Sequence, residues 1–108
     1  MRTNNVVLIG TIAKHLEVKK TEKGERRVAI RLRTAYRKER GLEKGTWVTQ
    51  WHDVIAWGQI ADFIQRNFVK GSKVLVEGSI NYRTYPDQTG HLRYVTIIDA
   101  YSCMNLDR

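Results

Sequence analysis

The chain has 108 residues, and its 42% hydrophobic and 28% charged content is typical of one small globular domain over residues 1–108. No apolar run approaches the roughly 20 residues of a membrane-spanning helix, and a lone cysteine, Cys103, excludes an internal disulfide and favours a reducing compartment. The net charge of +8 lies in residues 1–50, with thirteen basic and five acidic side chains; residues 51–108 hold six of each. This asymmetry favours a polyanionic partner, with a merely solubilising surface as the alternative.

The first half of the chain contains two predicted strands. Residues 5–11 (NVVLIGT) are apolar and β-branched, and Gly10 offers a bulge or bend. After the polar turn TEKGE, residues 26–36 alternate with a period of two, which predicts a half-buried strand. Its apolar residues take even positions and its arginines odd ones: Val28, Ile30 and Leu32 against Arg27, Arg31 and Arg33.

A third predicted strand, residues 47–57, follows the charged loop at residues 37–45. It contains Trp47, Trp51 and Trp57, whose odd numbers place all three on the same side of a strand. Val54 and Ala56 suit an interior on the even side, but Ile55 has an odd number. The alternation of this strand therefore leaves open which face is buried.

The pattern changes after Gly58, where residues 58–69 (GQIADFIQRNFV) have the spacing of a short amphipathic helix. Its phenylalanines are expected in the core. Residues 70–85 then predict a strand interrupted by Gly78, and PDQTG a hairpin loop. Residues 92–104 predict the returning strand.

Five strands with one helix between the third and fourth is the element order of the OB-fold, an all-β, five-stranded Greek-key barrel that binds oligonucleotides or oligosaccharides. If odd positions face outward, the arginines of the second strand lie beside the tryptophans of the third. Guanidinium groups would then follow phosphates, and indole rings would stack on unpaired bases. This arrangement is typical of binding to single-stranded nucleic acid without sequence preference.

The sequence resembles the bacterial single-stranded DNA-binding protein (SSB) family over essentially its whole length. The similar segments are NNVVLIGTI, TQWHDVIAWGQIADF, KGSKVLVEGSI and YPDQTGHLRY. The resemblance implies an OB-fold, a homotetramer, and a cytoplasmic, nucleoid-associated protein that coats single-stranded DNA in replication, recombination and repair. We expect no enzymatic activity, metal or cofactor.

The resemblance also implies roles for individual residues. Trp51, Trp57 and Tyr85 match the family's base-stacking aromatics. Tyr36 is the nearest candidate for a further one after the second strand, about two residues out of register, and His52 would point away from the DNA. The cations expected to complete the single-stranded DNA-binding set are Arg27, Arg31, Arg33, Arg37, Lys38 and Arg83.

The sequence departs from the family pattern in two ways. Asp53 stands where the family often has a basic or neutral residue, so we expect either a different DNA path or an arginine that pairs with Asp53. The sequence also ends at NLDR, without the flexible linker and acidic tip that recruit other replication proteins. Recruitment of that kind is therefore not expected, whether the tail was removed or is naturally absent.

Three other functions were considered. Catalysis is disfavoured, because His15, His52 and His91 lie in different elements and no metal-ligand or phosphate-loop spacing is present. A dimeric primosomal replication-restart protein would also be short and basic, but the aromatics at positions 51, 57 and 85 favour the coating protein. An RNA-binding or protein-interaction OB domain is the third alternative.

Overall fold

The computed structural model describes residues 3–107, which form six strands and one helix. The elements are β1 (Val6–Ile12), β2 (Glu17–Lys20), β3 (Arg26–Arg37), β4 (Trp47–Trp57), α1 (Gly58–Asn67), β5 (Lys73–Pro86) and β6 (Leu92–Asn105). Five of the strands and the helix correspond to predicted elements. β2 was not predicted.

The strands form a closed barrel. The sheet runs in the order β1-β5-β6-β4-β3, and β1 pairs with β3 to close it. β4 and β6 are parallel, whereas the other neighbours are antiparallel. This topology, with the helix between β4 and β5, confirms the OB-fold. The helix follows the fourth strand rather than the third only because β2 adds a strand before it.

β2 is a short extension of the barrel wall. It pairs with the first residues of β3, on the same edge that β1 contacts further along at Leu32 and Arg33. All four residues of β2 (EVKK) are exposed, so no apolar alternation marks it in the sequence. The strand forms because Gly24, at φ +85°, allows the chain to turn back onto β3.

The interior is filled from the even positions of β3 and β4, as the alternation of β3 predicted. These side chains are at most 2% exposed: Val28, Ile30, Leu32, Val54 and Ala56. The opposite strands contribute Val74, Val76 and Ile98 to the same core. Because strand residues alternate between faces, the odd positions of β3 and β4 form the outer surface of the barrel.

Two glycines allow the barrel to close and bend. A Cβ atom on Gly10 would lie 2.2 Å from the carbonyl oxygen of Arg33, so only glycine lets β1 approach β3. A Cβ on Gly78 would lie 2.4 Å from the carbonyl oxygen of Asp99, beside the bulge in β5. The predicted interruption at Gly78 is therefore a β-bulge within one continuous strand.

The helix packs its apolar side onto β3, β4 and β6. Ala61, Ile64 and the following Phe68 are buried. Phe63, also expected in the core, is 40% exposed and meets Phe68 edge to face with ring centroids 5.7 Å apart. That part of the prediction was wrong, because Phe63 lies at the margin of the helix's apolar side.

Candidate nucleic-acid interface

The outer face of β3 and β4 carries three arginine–tryptophan pairs. The antiparallel register sets Arg27 opposite Trp57, Arg33 opposite Trp51 and Arg37 opposite Trp47. Residues directly opposite each other in a sheet share a face. The odd-numbered arginines of β3 and the odd-numbered tryptophans of β4 therefore lie on one surface, where cations and indole rings are neighbours.

Two guanidinium groups also lie over indole rings. Arg27 lies over Trp57 with its Cζ atom 6.0 Å from the ring centroid, and Arg31 lies over Trp51 at 5.7 Å. Both distances are in the range of a cation–π contact. Trp51 is 49% exposed and Trp57 is partly buried. Each ring therefore keeps surface for a stacking partner while its orientation is restrained by an arginine.

Asp53 pairs with Arg31, which is one of the two outcomes expected from the sequence. The two residues face each other in the register, and Arg31 donates through Nη1 to Oδ1 of Asp53 at 2.8 Å. Because Arg31 also contacts Trp51, the carboxylate fixes the guanidinium beside the ring. It also neutralises one cation in the middle of the surface.

A groove of about 340 Å³ runs beside this pair. Its floor includes Ile55 and Ile97, which are only 3% and 8% exposed, and its lining also holds the basic residues Lys14 and Arg27 and the acidic residue Glu17. This floor explains the odd-numbered Ile55, which the alternation of β4 could not place. An apolar floor beside basic side chains suits a base flanked by phosphates, although a phosphate next to Glu17 would be repelled.

The β5–β6 hairpin continues the same surface. Asn81 pairs with Ile97, and Ile97 pairs with Asp53, so alternate residues from Asn81 onwards share the face of Asp53. Arg83 and Tyr85 belong to this series. Tyr85 is 50% exposed, and the Nη2 atom of Arg83 lies 3.9 Å from Oδ1 of Asp99. The hairpin thus adds a third predicted stacking residue and a cation.

The tip of the hairpin is held by Asp87. Its Oδ1 accepts from the hydroxyl and amide of Thr89 at 2.7 and 2.9 Å and from the amide of His91 at 3.0 Å. Its Oδ2 accepts from Nε of Arg93 at 3.0 Å. The Thr89 hydroxyl is the main cause that lowers the pKa of Asp87, and the two amides and Arg93 add to it. Asp87 is therefore ionised at neutral pH and holds Arg93 directly opposite Tyr85.

The remaining predicted residues lie towards the far end of the β3–β4 hairpin. Tyr36, at an even position opposite Val48, is 50% exposed but lies on the other face of the hairpin from Trp51. The Nζ atom of Lys38 lies 3.6 Å from Oε2 of Glu43. Arg37 is on the face of Trp51 and takes part in no ion pair among residues 3–107. The structure thus groups the predicted residues of β3, β4 and the β5–β6 hairpin on one face, with Tyr36 on the other face and Lys38 in the loop beyond the end of β3.

Sequence reasoning left out Arg93 and Asp87, and it left Trp47, which has no clear family counterpart, open between loop packing and a subunit contact. Arg93 joins the surface only through the register of the β5–β6 hairpin, which the sequence does not fix. Asp87 had a signal in the run DQTGH, since aspartate commonly caps its own turn. Trp47 had the odd-number signal, and the structure shows it 68% exposed.

Two titratable residues lie away from this surface. His52 is half-buried on the even side, with Nε2 2.8 Å from the Thr34 hydroxyl; burial first, and then the charge of Arg31, lower its pKa. Cys103 is buried as a small residue of the core, and burial raises its pKa to about 11. The raised pKa keeps the Cys103 thiol protonated at neutral pH, so it is not activated as a nucleophile.

Residues 3–107 contain no group of three or more histidine, cysteine, aspartate or glutamate side chains that could hold a metal ion. None of their helices has the length and apolar character needed to cross a membrane.

A model of the single-strand binding protein family matches residues 3–106. The chain belongs to this family. The match spans every strand of the barrel and includes the outer surface of β3 and β4.

Curated relatives are named single-stranded DNA-binding proteins. The one from Bacteroides thetaiotaomicron is 35% identical over 103 residues, which are 91% of this chain and 62% of that protein. The one from Chlorobaculum tepidum is 32% identical, covering 88% of this chain and 59% of that protein. The chain therefore spans about three fifths of the length of these relatives.

A solved structure described as a Plasmodium falciparum SSB complex with ssDNA has the same fold. It superimposes with a TM-score of 0.89, covering 99% of this chain and 97% of that one at 24% identity. This similarity supports the OB-fold over essentially the whole chain.

Proposed function

We propose that this chain binds single-stranded DNA without sequence preference. Bases stack on Trp51, Trp57 and Tyr85, and phosphates lie along neighbouring lysines and arginines. The observation that carries the proposal is the series of arginines directly opposite tryptophans on the outer face of β3 and β4. Aromatic rings tolerate any base, and guanidinium groups contact a backbone that is the same at every nucleotide.

The further members of the predicted set contribute charge around this series. Arg33 and Arg37 take part in no ion pair among residues 3–107, so phosphates can approach them without displacing a carboxylate. Arg31, Lys38 and Arg83 each lie near an acidic side chain and contribute less. Tyr36 contacts DNA only if the strand passes around the edge of the β3–β4 hairpin.

The biological role we infer is protection of single-stranded DNA during replication, recombination and repair, in the cytoplasm with the nucleoid. The name shared by the curated relatives supports this role. The proposal needs no chemistry, metal or cofactor, because stacking and phosphate contacts account for the binding.

We also propose that the chain assembles into a homotetramer. Ile9, Leu75 and Met104 form a row across β1, β5 and β6, with Ile9 61% and Met104 55% exposed. Within residues 3–107, β1 pairs with β3 only at Thr11 and Ile12 and approaches it at Gly10, so the edge from Val6 to Ile9 has no strand beside it. An exposed strand edge next to apolar side chains favours pairing with another copy.

The salt dependence of binding to oligo(dT) tests the proposed function. If about four to six phosphates are contacted, the slope of log K against log salt should be about −3 to −4, since each contact contributes about 0.7 for single strands. RNA of equal length should compete less well than oligo(dT). Absence of binding at low salt would contradict the proposal, and preference for RNA would favour an RNA-binding OB domain.

Native mass by light scattering tests the assembly separately. A tetramer supports the proposal, and Ile9→Glu should then reduce the mass by placing a charge on the apolar row. A stable dimer of the unaltered chain would instead favour a primosomal replication-restart protein.

A further inference from the structure

We propose that Trp47 is an additional base-stacking site for single-stranded DNA, with Arg37 as the cation beside it. This site extends the DNA path beyond Trp51 towards the tip of the β3–β4 hairpin. The inference rests on the proposed function. It adds a subsite at a position for which the family resemblance offers no counterpart.

The first argument is the repetition of one arrangement. Trp47 is directly opposite Arg37, as Trp51 is opposite Arg33. Trp47 and Trp51 are four residues apart in β4, so their side chains share a face at a spacing of about 13 Å. Trp47 therefore extends the series in line with Trp51 rather than lying on another side of the molecule.

The second argument is exposure. Trp47 is 68% exposed, more than the 49% of Trp51. Within residues 3–107, it is neither part of the buried core cluster nor packed against it. Burying a tryptophan contributes strongly to folding, so an indole left in solvent contributes little. A stacked base would cover the ring.

The third argument is the charge around the ring. The guanidinium of Arg37 lies near the loop, with Nη2 3.4 Å from where a Cβ on Gly45 would be. It lines a shallow hollow together with Lys38, Lys44 and one acidic residue, Glu39, so that basic side chains outnumber acidic ones there. Glu43 contacts Lys38, which leaves Arg37 and Lys44 without an ion pair among the described residues. A phosphate next to a base on Trp47 would meet this excess of positive charge.

The positive charge around Trp47 also favours a nucleic acid over a second protein chain as the molecule that covers the ring. A subunit interface would bury Trp47 together with Arg37, and unpaired charges are depleted from interface cores. Single-stranded DNA pairs with both features at once, through its bases and its phosphates. We therefore assign the site to DNA, and a subunit contact becomes an outcome that the test detects.

The direct test uses Trp47 as the only indole. The variant Trp51→Phe, Trp57→Phe keeps rings at both other positions and leaves Trp47 as the sole tryptophan. Its fluorescence should be quenched when saturating oligo(dT) is added at low salt. Unchanged fluorescence, with DNA binding verified by the mobility shift of the oligonucleotide, would overturn the inference.

A second test uses DNA length. Trp47→Ala should weaken binding of long oligo(dT) by about 5- to 150-fold, the usual effect of removing a stacking ring, and leave the shortest bound oligomers nearly unaffected. Lengths from about 4 to 16 nucleotides cover the range of a single OB-fold. Trp47→Phe should retain most of the affinity.

Leu42→Ala is the matched control, since it removes a fully exposed apolar side chain from the same hairpin. An equal loss in this control, or an equal loss at every DNA length with Trp47→Ala, would overturn the inference. So would a change in native mass caused by Trp47→Ala, because that result assigns the indole to a subunit contact. Failure of the unaltered chain to bind oligo(dT) would instead remove the proposed function.

Discussion

At the scale of single residues, the arginines on the outer face of β3 and β4 have two different roles. Arg33 and Arg37 have no carboxylate partner among residues 3–107 and offer their full charge. Arg31 is bound to Asp53 and lies over Trp51. We infer that Asp53 orients Arg31 and Trp51 at the expense of local affinity, since a phosphate near Arg31 meets the carboxylate as well.

Replacing Asp53 should therefore tighten binding. In Asp53→Asn, Arg31 is released from an exposed ion pair of about 0.2–1 kcal/mol, and we expect affinity for oligo(dT) to rise about 2- to 5-fold at low salt. The gain should shrink as salt screens the surface charges. Fluorescence anisotropy of a labelled oligonucleotide measures both effects.

Glu22→Gln is the control for this change, because it makes the same charge difference in the exposed turn before β3. A similar gain in the control would show that net charge alone is responsible. Weaker binding by Asp53→Asn would show that the orientation of Arg31 matters more than the cation it neutralises.

Much of this surface could be predicted at the residue scale, and the limits have a physical cause. Alternation along β3 identified Arg27, Arg31 and Arg33 as outward residues, because one face of a barrel strand must be apolar. Alternation cannot tell which residues of two strands lie opposite each other. The pairing of Arg37 with Trp47 follows from the register between strands, whereas the even position of Tyr36 already places it on the other face of β3 from the arginines.

At the scale of elements, the β5–β6 hairpin depends on its turn to present Tyr85. Asp87 gathers two backbone amides, the Thr89 hydroxyl and Arg93 around one carboxylate. Because Arg93 is directly opposite Tyr85, the turn and the proposed stacking position are linked within a few residues. We therefore expect the loop to be a rigid end of the hairpin rather than a mobile connection.

Asp87→Ala should loosen this end without unfolding the barrel. Amide hydrogens of Thr89 and His91 should exchange faster, since both donate to the lost carboxylate. Affinity for oligo(dT) should also fall, as Tyr85 and Arg93 become less well ordered. Hydrogen exchange followed by NMR measures the first effect.

The neighbouring variant Gln88→Ala serves as the control, because Gln88 is exposed in the same loop. Exchange rates in Asp87→Ala that match those of Gln88→Ala would contradict the role given to Asp87.

The elements were largely predictable because each carries its own pattern. β4 has the predicted bounds of residues 47–57, and the bulge lies at the predicted Gly78. β2 was missed because its stability comes from pairing with β3, while its own four side chains are exposed. Phe63 was misplaced for a similar reason, since a helical period does not specify where the core ends.

At the scale of the whole molecule, the excess of basic residues in the first half of the sequence is concentrated on one side of the surface. The basic first half supplies β2, β3 and the β3–β4 loop, which lie together at one side of the barrel. The core of the barrel is apolar and is built from β3, β4, β5 and β6. The barrel closes where Gly10 meets β3. The fold therefore supports a cationic, aromatic outer face without needing that face for its own stability.

The most direct test of this account is the binding of Trp51→Ala to poly(dT), measured together with its thermal unfolding. Trp51 is 49% exposed on the outer face, so its loss should leave the barrel folded. Affinity should fall by about 1–3 kcal/mol, because one stacking ring is removed. An unfolded variant, or a folded variant that binds as tightly as the unaltered chain, would contradict the assignment of this face to single-stranded DNA.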